Sequence, residues 1–120
     1  MRFEITITTE FSASHQLKLY DGSLESLHGH NWRVVVTVSA KQLDGIGVVM
    51  DFHELHKLLR QIVEPWHSRH LNGVPAFRRR NPSAENVAGH IAESLKLPPK
   101  VKLEMVEVWE TPDCRARWTR

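Results

Sequence analysis

A chain of 120 residues, of which 41% are hydrophobic and 25% charged, predicts one globular domain over residues 1–120 with a single modest core. The net charge of +2 gives no strong electrostatic footprint for nucleic acid, and no stretch approaches the roughly 20 apolar residues of a membrane span. Cys114 is the sole cysteine, which excludes an internal disulfide. With an alternating N-terminus in place of an apolar leader, these features predict a cytoplasmic protein without nucleic-acid or membrane partners.

Two alternating stretches predict the first two strands. Residues 2–17 place apolar side chains and His15 in one parity, and residues 28–41 place His28 and His30 in the parity of four apolar residues. A turn-forming loop separates them, so the strands are expected to pair antiparallel. The residues sharing a face are Phe3, Ile5, Ile7, Phe11, Ala13 and His15 in the first strand, and His28, His30, Trp32, Val34, Val36 and Val38 in the second.

Helical periodicity follows in the middle of the chain. Residues 52–63 repeat apolar side chains at helical spacing behind Asp51, an N-cap candidate, and Pro65 ends the run. His53 and His56 fall on the flank of this helix and are expected at the surface. Residues 66–80 carry no period and predict a loop. A second helix is expected to begin at Pro82-Ser83, with Ser83 as its cap.

The C-terminal part alternates again. The apolar parity changes near Met105-Val106, which predicts a β-bulge, and residues 114–119 form a final strand in which Cys114 would be a small apolar filler. The predicted order is ββααββ: a four-stranded antiparallel sheet with two helices on one face, an α+β domain. Its long outer strands leave exposed edges, which predict a homo-oligomer.

The three histidines predict a metal site. Paired strands would bring His15, His28 and His30 to one side of the sheet, and three neutral nitrogen ligands with one open position are typical of catalytic zinc. The alternative is that His15 is a hydrogen-bonded core residue. Glu110 shares the parity of Val106 and Val108, where a charge needs a partner; the alternative is a carboxylate at a strand end in water.

Several motifs in order resemble the 6-pyruvoyl tetrahydropterin synthase / 6-carboxytetrahydropterin synthase family over essentially the whole chain. They are Phe11–His15, His28–Asn31, Met50–Phe52, Leu71–Asn72, Pro82–Asn86 and Trp109–Thr111. The resemblance implies the tunnelling fold, in which trimers form β-barrels that stack as hexamers, a dimer of trimers with active sites at subunit contacts. It implies one pterin-synthase-like domain.

By the same resemblance His15, His28 and His30 are the ligands of Zn2+, and Glu110 clamps the edge of a small-molecule pterin. Ser83 matches a position that holds the pterin from a neighbouring subunit, although a hydroxyl there also suits a helix cap. Family enzymes act on 7,8-dihydroneopterin triphosphate as zinc-dependent lyases, in which the metal acidifies side-chain hydroxyls, a base moves protons and triphosphate leaves.

The catalytic base departs from the family pattern. The positions where a cysteine is expected for the carboxy and pyruvoyl products are Leu24 and Gly22, and neither side chain can accept a proton. Glu25 stands where a third subgroup, which cleaves dihydroneopterin to a hydroxymethyl-pterin for folate, carries a glutamate. Glu25 is therefore the candidate base; the alternative is an exposed loop glutamate.

The family's Asp-His pair is also altered, because the matching positions are His67 and Ser68. His67 or His70 would then supply a displaced catalytic imidazole. Two rival functions stay open. One is a non-catalytic pterin-binding homologue that has lost its proton relay, and the other is a nucleic-acid-binding module using Arg78–Arg80, a run that also suits a solvated loop.

Overall fold

A computed structural model describes residues 1–120, and its elements follow the predicted order with one addition. Neither of the two α-helices combines the length and the hydropathy that a membrane-spanning helix needs. The strands and helices are β1 Phe3–His15, β2 His28–Ala40, α1 Phe52–Val63, β3 Arg69–His70, α2 Ala84–Ser94, β4 Lys102–Thr111 and β5 Cys114–Thr119. Short 3₁₀ turns cover Glu64–Trp66, Leu71–Gly73 and Pro75–Phe77.

The sheet has five strands in the order β3-β1-β2-β4-β5. The α+β class is confirmed, but four antiparallel strands is a correction, since β3 pairs parallel with β1 at Ala13 and Ser14. A two-residue strand is too short to show an alternating pattern, so residues 66–80 read as loop. Ser68, with φ of 60°, turns the chain onto the edge and donates its backbone N–H to the Ser12 carbonyl at 2.6 Å.

The core lies between one sheet face and the two helices. The fully buried Trp32 stacks on Phe11, with ring centroids 5.8 Å apart, and β2 continues this apolar face. The helices bury Leu55, Leu59 and Val63 from α1 and Val87, Ala88 and Ile91 from α2. Burial at helical spacing explains why these segments are helices.

Both predicted helix caps are present. Asp51 accepts a hydrogen bond from the backbone N–H of His53 at 2.8 Å, and Ser83 accepts one from the N–H of Asn86 at 3.1 Å. These bonds satisfy N–H groups that the first turn leaves without partners. Each helix therefore starts at the residue where its sequence predicts.

The predicted bulge is present one residue from the expected place, and a second lies nearby. The register between β2 and β4 shifts between Thr37 and Val38. These two residues pair with Met105 and Leu103, so Glu104 is the extra residue of β4. Another irregularity between Trp109 and Thr111 leaves Glu110 unpaired against β5. Bulges re-aim side chains at the ends of strands.

Two surface predictions have different outcomes. His53 is exposed as expected, with 97% of its side chain accessible, whereas His56 is half-buried and its Nδ1 is out of contact with solvent, which corrects its prediction as a surface residue. Cys114 is also exposed, which corrects its prediction as an apolar filler. Cys114 begins the edge strand β5, where its side chain faces solvent and not a packed interior.

The sheet face opposite the helices carries a buried acid. Arg117 donates two hydrogen bonds to Glu107, at 3.0 and 2.7 Å, and the Trp109 indole donates one at 2.7 Å. Burial alone would raise the pKa of Glu107, but these bonds and the charges of Arg115 and Arg117 outweigh it and lower the pKa below the usual 4.5.

A lowered folded-state pKa means that Glu107 contributes stability above the unfolded value of about 4.5, and that this is lost as pH falls through the folded value. We expect the free energy of unfolding of the wild type to fall below about pH 4.5 and that of Glu107→Gln to be lower at pH 7 and less pH-dependent in that range. Urea denaturation at several pH values measures this. Glu10→Gln, at an exposed position without side-chain bonds, serves as control; equal pH slopes in all three proteins would contradict the assignment.

Leu59, fully buried between α1 and the sheet, tests the core packing. Replacing it with alanine is expected to lower the free energy of unfolding by about 2–5 kcal/mol, through lost transfer energy and a residual cavity. Leu43→Ala, at a position 40% exposed, should change it by less than about 1 kcal/mol. Urea denaturation curves for both variants provide the comparison, and similar losses would contradict this packing.

Candidate functional site

Three imidazoles and one carboxylate meet at one end of the sheet. His15 and His28 are direct cross-strand partners, and His30 pairs with Ala13 two positions along. Glu110 enters from β4 at its bulge. One possible ligand atom from each of the four residues lies within 4.8 Å of all the others. The sequence prediction that the three rings share one side of the sheet is therefore met, and Glu110 joins them.

His15 is held in one tautomer. Its ring is 1% exposed, and Nδ1 lies 2.8 Å from the carbonyl oxygen of Pro82. A carbonyl can only accept, so Nδ1 carries the proton and Nε2 presents a lone pair. Nε2 lies 2.8 Å from Glu110 Oε1, yet it has no hydrogen-bond partner, because the orientation is not that of a hydrogen bond.

The other two rings are arranged similarly. His28 Nδ1 donates to the carbonyl of Ser26 at 2.9 Å, which leaves its Nε2 as an acceptor. His30 Nε2 is buried without a partner, 3.8 Å from Glu110 Oε1. Burial lowers the pKa of His30, opposed by the charge of Glu110 and assisted by the neighbouring imidazoles. A neutral imidazole is the form that binds a metal.

These residues fit a divalent cation. A buried ring nitrogen with a lone pair lies 2.8 Å from a carboxylate oxygen, and two acceptors at that distance repel each other unless both bind the same cation. The outer nitrogens of His15 and His28 donate to carbonyls, as in metal sites where an outer partner fixes the ring. Three imidazoles with a carboxylate and no cysteine are a donor set suited to zinc.

Two asparagines, for which the sequence predicts no role, hold the backbone beyond His15. The side-chain amide of Asn72 accepts from the N–H of Gln16 at 2.9 Å and donates to its carbonyl at 2.8 Å. Asn81 does the same for Lys18, at 2.7 and 3.0 Å. Each imitates a strand partner, so the backbone after β1 is fixed without one. Their signal in the sequence is an asparagine in a loop beside a strand end.

Glu25 lies at the edge of the cluster. Its Oε1 accepts a hydrogen bond from the backbone N–H of Leu17 at 3.0 Å and lies 3.8 Å from His28 Nε2. Gln16 donates from its side chain to the Glu25 carbonyl at 3.1 Å. The carboxylate is thus positioned beside a candidate ligand, and its side chain is 29% exposed.

His67 and His70 lie apart from the cluster. Ser14, whose side chain points to the face of β1 opposite His15, holds the ring of His70, and the backbone of Ser12 holds the ring of His67. The backbone N–H of Ser12 donates to His67 Nδ1 at 3.1 Å, and Ser14 Oγ is 3.0 Å from His70 Nδ1. His70 does line a cavity of about 470 Å³ together with His30.

The remaining candidate, Ser83, caps α2 through its hydroxyl. A second cavity of about 670 Å³ adjoins the cluster and is lined by His30, Arg33, Trp109 and Glu110. Arg33 and Arg115 flank the Trp109 ring, with guanidinium carbons 5.9 and 4.9 Å from its centroid. This cavity shares His30 and Glu110 with the cluster, while Arg33 and Trp109 line it from the sheet face opposite the helices. Its charged, aromatic and carboxylate groups are the chemistry of a polar heterocycle site.

Comparisons with known proteins identify a family for this chain. The family model of 6-pyruvoyl tetrahydropterin synthase matches residues 4–120. The human 6-pyruvoyl tetrahydrobiopterin synthase is 33% identical, covering 90% of this chain and 85% of the relative, and the 6-carboxy-5,6,7,8-tetrahydropterin synthase of Rickettsia bellii is 27% identical, covering 88% and 91%.

Solved structures share the fold. The Caenorhabditis elegans 6-pyruvoyl tetrahydropterin synthase matches with a TM-score of 0.85 and 24% identity, over 100% of this chain and 96% of that one. A Plasmodium vivax 6-pyruvoyltetrahydropterin synthase in which a catalytic glutamate is replaced by alanine matches with a TM-score of 0.75 and 18% identity, over 100% and 98%. Because the family model covers nearly the whole chain and a relative is more than 30% identical, the protein belongs to the 6-pyruvoyl tetrahydropterin synthase family.

Proposed function

We propose that this protein is a zinc-dependent lyase acting on 7,8-dihydroneopterin triphosphate or on dihydroneopterin. The observation that carries the proposal is the convergence of His15, His28, His30 and Glu110 within 4.8 Å beside a cavity. Membership of a family of pterin synthases supports the reaction class. We also propose that residues 1–120 form a single domain.

In this proposal His15, His28 and His30 hold the zinc ion through Nε2. A bound zinc ion would supply Lewis acidity toward the side-chain hydroxyls of the substrate. The protein's own contribution is to fix the rings: Pro82 and Ser26 accept the outer protons of His15 and His28, so the ligand lone pairs are already oriented.

Glu110 is proposed to anchor the pterin. A carboxylate accepts two parallel N–H bonds from a 2-amino-pyrimidinone edge, as it does from a guanidinium. Glu110 is 27% exposed and lines the cavity of about 670 Å³, so it can face a ligand while staying beside the histidines. Ser83 is proposed to contribute to a neighbouring copy's site, with its hydroxyl oxygen already accepting the cap hydrogen bond.

Glu25 is proposed as the general base. The backbone N–H of Leu17 donates a hydrogen bond to the Glu25 carboxylate, whose Oε1 lies 3.8 Å from His28 Nε2. From there the carboxylate could accept a proton from a substrate carbon beside the histidine cluster. A catalytic glutamate in the Plasmodium vivax relative supports a carboxylate in this role. His67 is less suited, because its Nδ1 lone pair accepts the Ser12 N–H.

The altered relay leaves His70 as the second proposed proton carrier, although its ring is held by Ser14 on the face of β1 opposite the histidine cluster. With Glu25 as base, the product would be the 6-hydroxymethyl-dihydropterin of folate synthesis; with the usual reaction it would be a 6-pyruvoyl or 6-carboxy-tetrahydropterin, the latter for queuosine.

We also propose that the protein forms a homohexamer, a dimer of trimers. The edge strand β5, which has no strand paired on its outer side, supports this proposal.

Metal binding gives a direct test. Wild-type protein incubated with zinc and desalted is expected to retain one zinc per chain by atomic absorption, with a higher Tm than the chelator-treated protein. His28→Ala should lower zinc affinity by roughly 100-fold or more, because losing even an outer partner of a ligand costs 10–100-fold. His53→Ala, at a position 97% exposed, should behave as wild type. Equal zinc retention by both variants would rule out this ligand set.

The proposed base is tested by Glu25→Gln, which keeps shape while removing the proton acceptor. We expect turnover of dihydroneopterin or of its triphosphate to fall about 10²–10⁴-fold, while the zinc content stays the same. Chromatography of the products measures the turnover. Glu54→Gln, an exposed position on α1, is the matched control.

Equal activity in Glu25→Gln and wild type would remove Glu25 from the mechanism. If the wild type turns over neither substrate but retains pterin, the protein is a pterin-binding homologue. The two altered positions support that outcome, because the Leu24 side chain cannot accept a proton and Ser68 has a hydroxyl where the family pattern has an imidazole.

A further inference from the structure

A second charged cavity lies at the other end of the sheet. Phe3 and Ala40 pair there, while His15 and His28 pair at the cluster end, so the 13 residues of β1 separate the two places by roughly 40 Å at about 3.3 Å per residue. The cavity has a volume of about 330 Å³. Five cations line it: Arg2, Lys41, Lys100, Lys102 and Arg120.

The two arginines are already paired. Glu104 accepts hydrogen bonds from Arg2 at 3.0 Å and from Arg120 at 2.9 and 3.2 Å, and Ser39 donates its hydroxyl to the same carboxylate. Arg2 also bonds Glu4 at 3.1 Å. This network fixes one wall of the cavity, so the site is held in place by strand pairing and by ion pairs.

The three lysines are without such partners. Lys41 follows β2, Lys102 begins β4 opposite Ser39, and Lys100 precedes it; none forms an ion pair. With Glu4 and Glu104 as the neighbouring acids, the five cations leave an excess of three positive charges, larger than the +2 of the whole chain. Positive charge is therefore concentrated at this end of the molecule.

Lys100 occupies a backbone position that other residues suit better. Its φ is 72°, and the N–H of Val101 donates to the carbonyl of Pro98 at 3.2 Å, a turn whose third residue is usually glycine or asparagine. A lysine here keeps a left-handed conformation that costs it energy. The Lys100 side chain lines the cavity, so a charged residue occupies a strained backbone position at this site.

We propose that this basic pocket, lined by Lys41, Lys100 and Lys102, binds the oligophosphate chain of a small anion, as a site separate from the histidine cluster. The lysine ammonium groups stand on flexible stems and neutralise phosphate oxygens as point charges. Three ammonium groups match the several negative charges of an oligophosphate better than they match the single charge of a carboxylate ligand. A cavity of about 330 Å³ accommodates a small molecule. The proposal does not rest on the proposed lyase activity.

The test is calorimetric titration of the wild-type protein with inorganic tripolyphosphate and, separately, with orthophosphate. We expect saturable binding of tripolyphosphate at low salt that weakens as salt is added, and weaker binding of orthophosphate. Lys100→Gly, which removes the charge and suits the turn, should weaken tripolyphosphate about 10-fold with Tm retained, and Lys41→Gln with Lys102→Gln together should weaken it further.

Two controls make the result decisive. Lys57→Gln, an exposed lysine on α1, should bind tripolyphosphate as the wild type does. His28→Ala should bind it too, since that variant alters only the cluster at the other end of the sheet. Binding that is lost in His28→Ala but unchanged in the lysine variants would place the phosphate at the histidine cluster and overturn the proposal. The absence of saturable tripolyphosphate binding to the wild-type protein would overturn it as well.

Discussion

The hydrogen bond from His15 Nδ1 to the carbonyl of Pro82 is the contact on which the site depends. It ties the end of β1 to the residue before the Ser83 cap of α2, across 67 positions of chain. It also fixes the tautomer, so the free nitrogen faces Glu110 and the neighbouring rings. Without this bond the ring could rotate or exchange its proton, and its lone pair would lose its direction.

The sheet supplies the second constraint. The unbroken antiparallel register of β1 with β2 sets His15 directly against His28, and alternation places His30 on the same face. A slip of one residue would send all the β2 rings to the opposite face. The alternating apolar residues prevent that slip, because Trp32 and Val34 would then leave the core. Core packing and ligand placement therefore enforce the same register.

The sequence was informative wherever a feature repeats with a period. Alternation identified β1, β2 and the shared face of the three histidines, and helical spacing with a capping residue gave α1 its observed ends. The parity of Glu110 with Val106 and Val108 placed it on the correct face. Its approach to His15 required the bulge, whose exact position alternation alone does not determine.

Features made by single long-range contacts could not be read in this way. Strand β3 exists because Ser68 turns the chain and bonds Ser12, and the role of Asn72 follows from its reach to Gln16. Neither produces a repeating pattern. His67 and His70 were predicted near the chemistry from their interval alone, whereas the side of β1 to which each is bonded became visible only in three dimensions.

His15 packs edge-on against Trp32, with ring centroids 4.8 Å apart, and the indole donates back to the Ala13 carbonyl at 3.2 Å. A candidate ligand is thus itself a piece of the hydrophobic interior. Substitutions that repack this interior also displace the ligand, so resilience to heat and chemical competence cannot drift independently here. Over evolutionary time this coupling would favour change in the loops and at the far strand ends, while the interior beside the ligands stays nearly fixed.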